Sequence, residues 1–300
     1  MTHASTRISG LRSVSLCVPD LDLAEAFFTR TWHLKVAARD DSGLYLSASG
    51  ADHHVLSLHP AEGPARLRDV TLRAHSPDLL GVVAQSALNA GGQVLHAPGP
   101  VLEPGGGLAV TIADPDGRVF RIVHGDTRHP NPGEHADHPI RLAHVVLNAR
   151  DVASAQQFLE QVLDFSLSDR TRIMAFMRCN SDHHSIALAD ADNHALNHIA
   201  FLMPSLDDVM RGGGRMKEAG YGIEWGPGRH GPGNNAFNYF VGPFDIVIEY
   251  TAEVQQIDDH YRTGRPEDWT WPPGRVDHWG ISTPPSPRLK QAQKTILFQG

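Results

Sequence analysis

The 300-residue chain is predicted to be an α+β protein whose two halves are copies of one plan, each half holding two strand–helix–strands units. Three observations carry this prediction. The order of apolar strand, amphipathic helix and further apolar strands occurs four times. Helices begin at Asp in corresponding places. Opening strands of the second half carry a single histidine where the matching strands of the first half carry small or differently charged groups.

Taken in order, Leu11–Cys17 is an apolar strand followed by PDLDLAEAFFTR, an Asp start signal and a helix with Ala24, Phe27, Phe28 and Thr31 on one face. The runs LYLSAS and HHVLSLH follow as strands. The next unit starts with Arg68–Leu72 and a helix through Leu80, Val83 and Ala87 that ends at Gly91-Gly92. It closes with two strands joined by a turn, LAVTIADPDGRVFRIV. The second half repeats this with Leu142–Leu147, then ARDVASAQQFLEQVL with Ala155, Phe158, Leu159 and Val162 on its face, then IMAFMRC and HHSIALA. His198–Phe201 leads to SLDDVMRGGGRMKEAG. Its glycine triplet weakens a helix interior by roughly 1 kcal/mol per residue relative to Ala, so a short or interrupted helix is expected. AFNYFVGPFDIVIEY closes the half, with a buried strand expected over 244–250.

The expected domains are residues 8–125 and 140–255, joined by a Pro- and His-rich connection at 126–139. Residues 256–300 carry Trp269, Trp271, Trp279 and Pro272-Pro273 and are read as an ordered arm that packs aromatics over the second domain. A helix start is expected near Pro287.

A hydrophobic content of 41% is enough to bury a sizeable core. No apolar run approaches the ~18 residues of a membrane span. The N-terminal MTHASTRISGLRSV lacks the layout of a signal peptide. Net charge of −8 argues against a nucleic-acid surface. Cys17 and Cys179 sit in strand-like runs as small buried thiols, which fits a reducing cytoplasm.

The polar residues inside apolar strands carry the chemistry. A lone carboxylate among Val and Ile, such as Glu249, is costly to bury unless it is paired or holds a cation. His144 and His198 stand in their own apolar strands in the same way. Any one of these alone reads as a hydrogen-bonded core residue or an ion pair. Two His and one Glu on separate strands match the two-His-one-carboxylate set that leaves three metal positions open, which favours Fe(II) and suits Mn(II). Aligning the halves sets Ser13 opposite His144, Asp69 opposite His198 and Arg121 opposite Glu249, and Ser, Asp and Arg make no metal site.

The duplicated units, the two strand histidines and the GRH…Y…GP…E run over 228–249 resemble the type I extradiol ring-cleavage dioxygenases of the vicinal oxygen chelate superfamily, across about residues 8–255. The resemblance implies tandem βαβββ units, each domain a curved mixed sheet around a cavity. It implies metal ligands His144, His198 and Glu249, a catalytic histidine at His184, and His230 and Tyr239 beside the substrate. The implied activity is cleavage of a catecholic ring by O2 in a cytoplasmic homo-oligomer. The pattern departs at Pro232, Asn238, Gly242 and Asp245, none of them a ligand position. Other readings are a glyoxalase-type isomerase or lyase, whose sites generally use more than one carboxylate, and a metal-free ligand-binding protein.

Strand alternation places His183 and His184 on opposite faces. His184 is expected to face the substrate with Ile186 and Leu188, joined by Ile173, Ala175 and Met177. His183 is expected in a supporting or outward role, where substitution costs little.

Overall fold

The computed structural model describes residues 6–130 and 132–299; Asn131 of the connecting segment, Gly300 and residues 1–5 lie outside the described residues. The first half runs β1 (Ile8–Val18), α1 (Leu21–Arg30), β2 (Lys35–Asp40), β3 (Gly43–Ser47), β4 (Leu56–Pro60), β5 (Arg66–Ala74), α2 (Leu79–Asn89), β6 (Gln93–Pro100), β7 (Leu108–Ala113) and β8 (Val119–His124). The second runs β9 (Arg141–Ala149), α3 (Val152–Leu163), β10 (Ser166–Arg170), β11 (Met174–Arg178), β12 (Ile186–Asp190), β13 (Leu196–Leu202), α4 (Leu206–Glu218), β14 (Trp225–Arg229), β15 (Ala236–Val241) and β16 (Val247–Ala252). A short α5 (Pro287–Ala292) starts at the expected proline, with the Ser286 side chain capping Leu289 N–H.

Each half forms one eight-stranded mixed sheet. The orders are β2-β3-β4-β1-β5-β8-β7-β6 and β10-β11-β12-β9-β13-β16-β15-β14. The chain is therefore the expected α+β fold of tandem βαβββ units. Asp20 and Asp151 cap α1 and α3 by accepting from Leu23 and Ser154 N–H, and the predicted faces of both helices are buried except at Thr31, which is the half-buried C-cap of α1. Among the described residues no helix is long and apolar enough to cross a membrane.

Each unit also has a strand directly after its helix that the apolar pattern did not reveal: β2, β6, β10 and β14. β2 and β6 are outer strands of their sheet and largely exposed, so nothing forces them to alternate.

Two local expectations change. α4 is a continuous 13-residue helix despite its glycine triplet. Its glycines serve close packing: a Cβ on Gly212 would lie 2.6 Å from the Tyr250 ring, and one on Gly213 would lie 2.9 Å from the Asn238 amide. Ser205 caps the helix, which offsets part of the propensity cost. The last strand begins at Val247 rather than Phe244, because β15 and β16 pair at Val241 and Val247 and leave 242–246 as the turn. Phe244 and Asp245 take positive φ there.

Candidate metal centre and active site

Register alone brings three donors together. β9 and β13 pair antiparallel with His144 opposite Ala200, and β13 and β16 pair parallel with Ala200 beside Glu249. His144 and Glu249 thus flank one residue of β13, and His198 lies two positions away on the same strand. A register shift between Leu196 and His198 marks a bulge at Asn197, which turns Asn197 and His198 to the same cavity.

The donor atoms form a near-equilateral triangle. His144 Nε2 lies 3.1 Å from Glu249 Oε2, His198 Nε2 lies 3.2 Å from the same oxygen, and the two Nε2 atoms are 3.4 Å apart. Metal bonds of about 2.1–2.3 Å at right angles put ligand atoms roughly 3.0–3.3 Å apart. The donor set therefore fits an ion bound on one face with open positions opposite. Among the described residues this is the only such group of three or more donors.

Glu249 is fully buried. Burial by itself would raise its pKa, but His144, His198 and His230 outweigh burial and hold it well below the ordinary carboxylate value. Asn235, also fully buried, points its amide at Glu249 Oε1 at 3.5 Å and donates to Thr251 Oγ1 at 2.7 Å. Burial pushes the His198 pKa down to about 4, against the opposing pull of Glu249. The ring orientation of His198 is fixed from behind. Its Nδ1 donates to Asn197 Oδ1 at 2.9 Å, which also accepts from Gln293 of the C-terminal arm, leaving Nε2 free as a ligand.

Tyr239 pairs directly with Glu249 across β15 and β16. Its hydroxyl lies 3.1 Å from His230 Nε2 and 3.3 Å from His198 Nε2. Burial first, then the Glu249 charge, raise the Tyr239 pKa well above 10, so the hydroxyl keeps its proton. His184 stands beside His144 with ring centroids 4.3 Å apart, and burial followed by its histidine neighbours holds its pKa well below the ordinary value. Five of the six residues singled out from sequence, His144, His184, His198, His230 and Tyr239, line one cavity of about 780 Å³, and Glu249 lies fully buried behind them, 3.1 Å from His144 Nε2.

The cavity wall differs from the expected one. Ala175, Met177, Ile186 and Leu188 belong to the main core, and Phe176, Met174, Ala189 and Val146 face the site. Of the predicted lining only Ile173 contributes, at the exposed mouth. The reason is that β12 starts at Ile186, so strand parity cannot be carried back to the irregular backbone at 183–184. His183 is likewise not outward. It is fully buried and its Nε2 lies 2.8 Å from Asp169 Oδ2.

The arm completes the enclosure. A Cβ on Gly231 would touch Trp271 at 2.7 Å and Trp269 at 3.1 Å, and Arg229 stacks over Trp279 at 4.9 Å, so all three tryptophans pack on the turn that carries His230. Of the sequence departures, Asn238 points away from the site toward α4, where its amide donates to Val209 O, whereas Pro232 lines the cavity. Asp169, Asn197 and Asn235 escaped the sequence reading. Asp169 sits in an ordinary polar run, Asn197 was passed over as the residue before a strand histidine, and only the Asn repeated in GPGNN hinted at the last.

The first half preserves the frame without the donors. Registers Val14 to Leu56 and Thr71 to Arg121 correspond to Val145 to Ile186 and Ala200 to Glu249. They put Ser13, Asp69 and Arg121 at the places of His144, His198 and Glu249. There Arg121 pairs with Asp69 and Glu103.

A fold duplicated within each half, with one buried cluster of two imidazoles and a carboxylate, defines a class of mononuclear metalloenzyme. Residues 141–250 match the Glyoxalase/Bleomycin resistance protein/Dioxygenase superfamily. The chain resembles the Mn(II)-bound glyoxalase from Novosphingobium aromaticivorans at 34% identity and a TM-score of 0.88, over 95% of this chain and 94% of that one. It is 28% identical to metapyrocatechase 2 of Cupriavidus necator over 90% of this chain and 88% of that protein. It is 25% identical to the manganese-dependent 2,3-dihydroxybiphenyl 1,2-dioxygenase of Geobacillus genomosp. 3, over 80% and 83% respectively. The chain belongs to this superfamily.

Proposed function

We propose that this protein opens the ring of a catecholic substrate beside its hydroxyl pair, using O2 at one Fe(II) or Mn(II) held by His144, His198 and Glu249. The observation that carries the reading is the donor triangle with a single carboxylate, facing a largely apolar cavity. His144, His198 and Glu249 would hold the metal, which would supply Lewis acidity and a common site for the two reactants.

The chain's own groups do the rest. Glu249 contributes one negative charge, so a divalent metal with a monoanionic catechol would give a neutral centre. His184 moves the protons that a diol must lose and a ring-opened product must regain. Tyr239 donates its retained proton toward a substrate oxygen, with His230 holding the hydroxyl in place. Phe176, Met174 and Trp225 pack the ring and exclude water. A homo-oligomer in the cytoplasm belongs to the same proposal.

A second reading, glyoxalase-type isomerisation, is favoured by the likeness to the Novosphingobium protein. The single carboxylate of the donor set speaks against it. The test is anaerobic loading with Fe(II) or Mn(II), then a panel of mono- and bicyclic catechols and 2-oxoaldehyde thiohemiacetals. Ring cleavage predicts oxygen uptake with a yellow product. Turnover of a thiohemiacetal without oxygen uptake, and inertness to every catechol, would overturn the proposal.

A further inference from the structure

Behind His184 lies a chain of buried polar groups that the proposed reaction does not yet use. His183 Nδ1 and His184 Nδ1 are 3.0 Å apart, and His183 Nε2 is 2.8 Å from Asp169 Oδ2. Asp169 is fully buried. Its Oδ1 accepts from Gly264 N–H at 2.7 Å, and its Oδ2 also accepts from the Tyr261 hydroxyl at 3.1 Å. Both donors come from the C-terminal arm.

The proton positions follow from which groups can only donate. Gly264 N–H can do nothing else, so the carboxylate accepts, and His183 Nε2 must present its hydrogen to Oδ2. A neutral His183 then has a bare Nδ1. Two bare nitrogens 3.0 Å apart would repel, so His184 Nδ1 carries a hydrogen and donates it. That leaves His184 Nε2 without a proton, and His184 lines the cavity.

The duplication shows which part of this chain is special. His53 and His54 occupy the corresponding places in the first half, with the same Nδ1 to Nδ1 separation of 3.0 Å. The paired-histidine turn is thus a property of the repeated fold. Two things differ. Register places Ala38 where Asp169 stands, since Ala38 pairs with Tyr45 as Asp169 pairs with Phe176. The far nitrogen of His54 is occupied by Arg12. The carboxylate, and an unobstructed Nε2, occur only in the half with the donor triangle.

We propose that Asp169 and His183 are positioning residues that set the tautomer of His184, holding its Nε2 bare as the proton acceptor for the substrate diol. This rests on the ring-cleavage reading for its substrate, and on geometry alone for its tautomer. Asp169→Asn has a defined consequence. Gly264 N–H requires the amide oxygen, so the amide N–H2 turns to His183 Nε2. His183 must then carry its hydrogen on Nδ1, and His184 must carry its own on Nε2. His183→Asn keeps an acceptor where Nδ1 was, and His183→Leu does not.

The deciding experiment is neutron diffraction from deuterium-exchanged crystals of the full chain loaded with Zn(II), alongside kinetics of the Fe(II) or Mn(II) enzyme. The expected map shows deuterium on Nδ1 of His184 and Nε2 of His183, with both moved to the other nitrogen in Asp169→Asn. Deuterium on His184 Nε2 in the unaltered chain would overturn the proposal, whatever the enzyme's substrate. In kinetics, Asp169→Asn and His183→Leu should lower kcat by ~10² or more with KM within a few-fold, and His183→Asn should recover to within about tenfold of the parent. Equal loss in His183→Asn and His183→Leu would reduce His183 to packing and sink the relay.

Discussion

Substituting the glycines of α4 one at a time separates helix propensity from packing against the strand that carries Glu249. Gly212 and Gly214 are two residues apart in one helix, so Ala should gain about 1 kcal/mol of propensity at either. Their surroundings differ. A Cβ on Gly214 meets nothing within 4 Å. One on Gly212 would lie 2.6 and 2.8 Å from two carbons of the Tyr250 ring. That ring cannot retreat, because it is stacked on Trp32 at a centroid distance of 3.6 Å and its hydroxyl donates to Trp32 O at 2.9 Å. Overpacking of this kind costs about 1–3 kcal/mol, which cancels or exceeds the propensity gain. Gly214→Ala should therefore stabilise the protein by up to about 1 kcal/mol, and Gly212→Ala should be neutral or destabilising by up to about 2 kcal/mol. The urea midpoints of the two variants, measured side by side on the metal-free chain, check this. Tyr250 follows Glu249 in β16, so Gly212→Ala should also weaken metal retention. Equal midpoints, or a higher one for Gly212→Ala, would refute the packing argument.

Replacing His184 by Gln should leave metal content unchanged while slowing turnover by ~10²–10⁴, checked by metal analysis and oxygen uptake; loss of metal would make His184 a ligand instead. Burial raises the Cys179 thiol to about 12 and also raises Cys17, so at pH 8 the native chain should resist iodoacetamide and both thiols should react once it is unfolded. Rapid native labelling followed by mass spectrometry would contradict their burial. The metal-free protein should lose stability on acidification. His198 falls from an ordinary 6.5 to about 4 in the fold, so between those values the unfolded chain binds more protons. The contribution is whole above pH 6.5 and is lost as pH falls toward 4, amounting to about 3 kcal/mol. Glu249, also depressed, adds loss in the same direction below its ordinary value. Urea midpoints that stay flat from pH 7 to 4.5 would exclude this.

The local and the periodic were legible in the sequence. Asp20 and Asp151 announced their helices because capping is a contact between neighbours, and Phe27, Phe158 and Val83 showed their faces because a buried helix stripe must be apolar. His144, His198 and Glu249 stood out because they interrupt or open the buried apolar runs AHVVL, HIAF and VIEY of central strands. What only the tertiary structure decided depends on contacts that skip along the chain. β2 and β6 are strands by pairing at a sheet edge, which asks no pattern of their side chains. Phe176 rather than Met177 faces the cavity because β11 pairs it with Ala187 of β12, and the irregular backbone at 183–184 hid that parity from a count begun at His184. The α4 glycines read as weakness until Tyr250 and Asn238 arrive against them. Asp169, in a plain polar stretch, is buried because Tyr261 and Gly264 fold back across it from more than ninety residues away. A sequence displays the environment a residue makes with its neighbours, but burial of a polar group is set by whichever distant segment covers it.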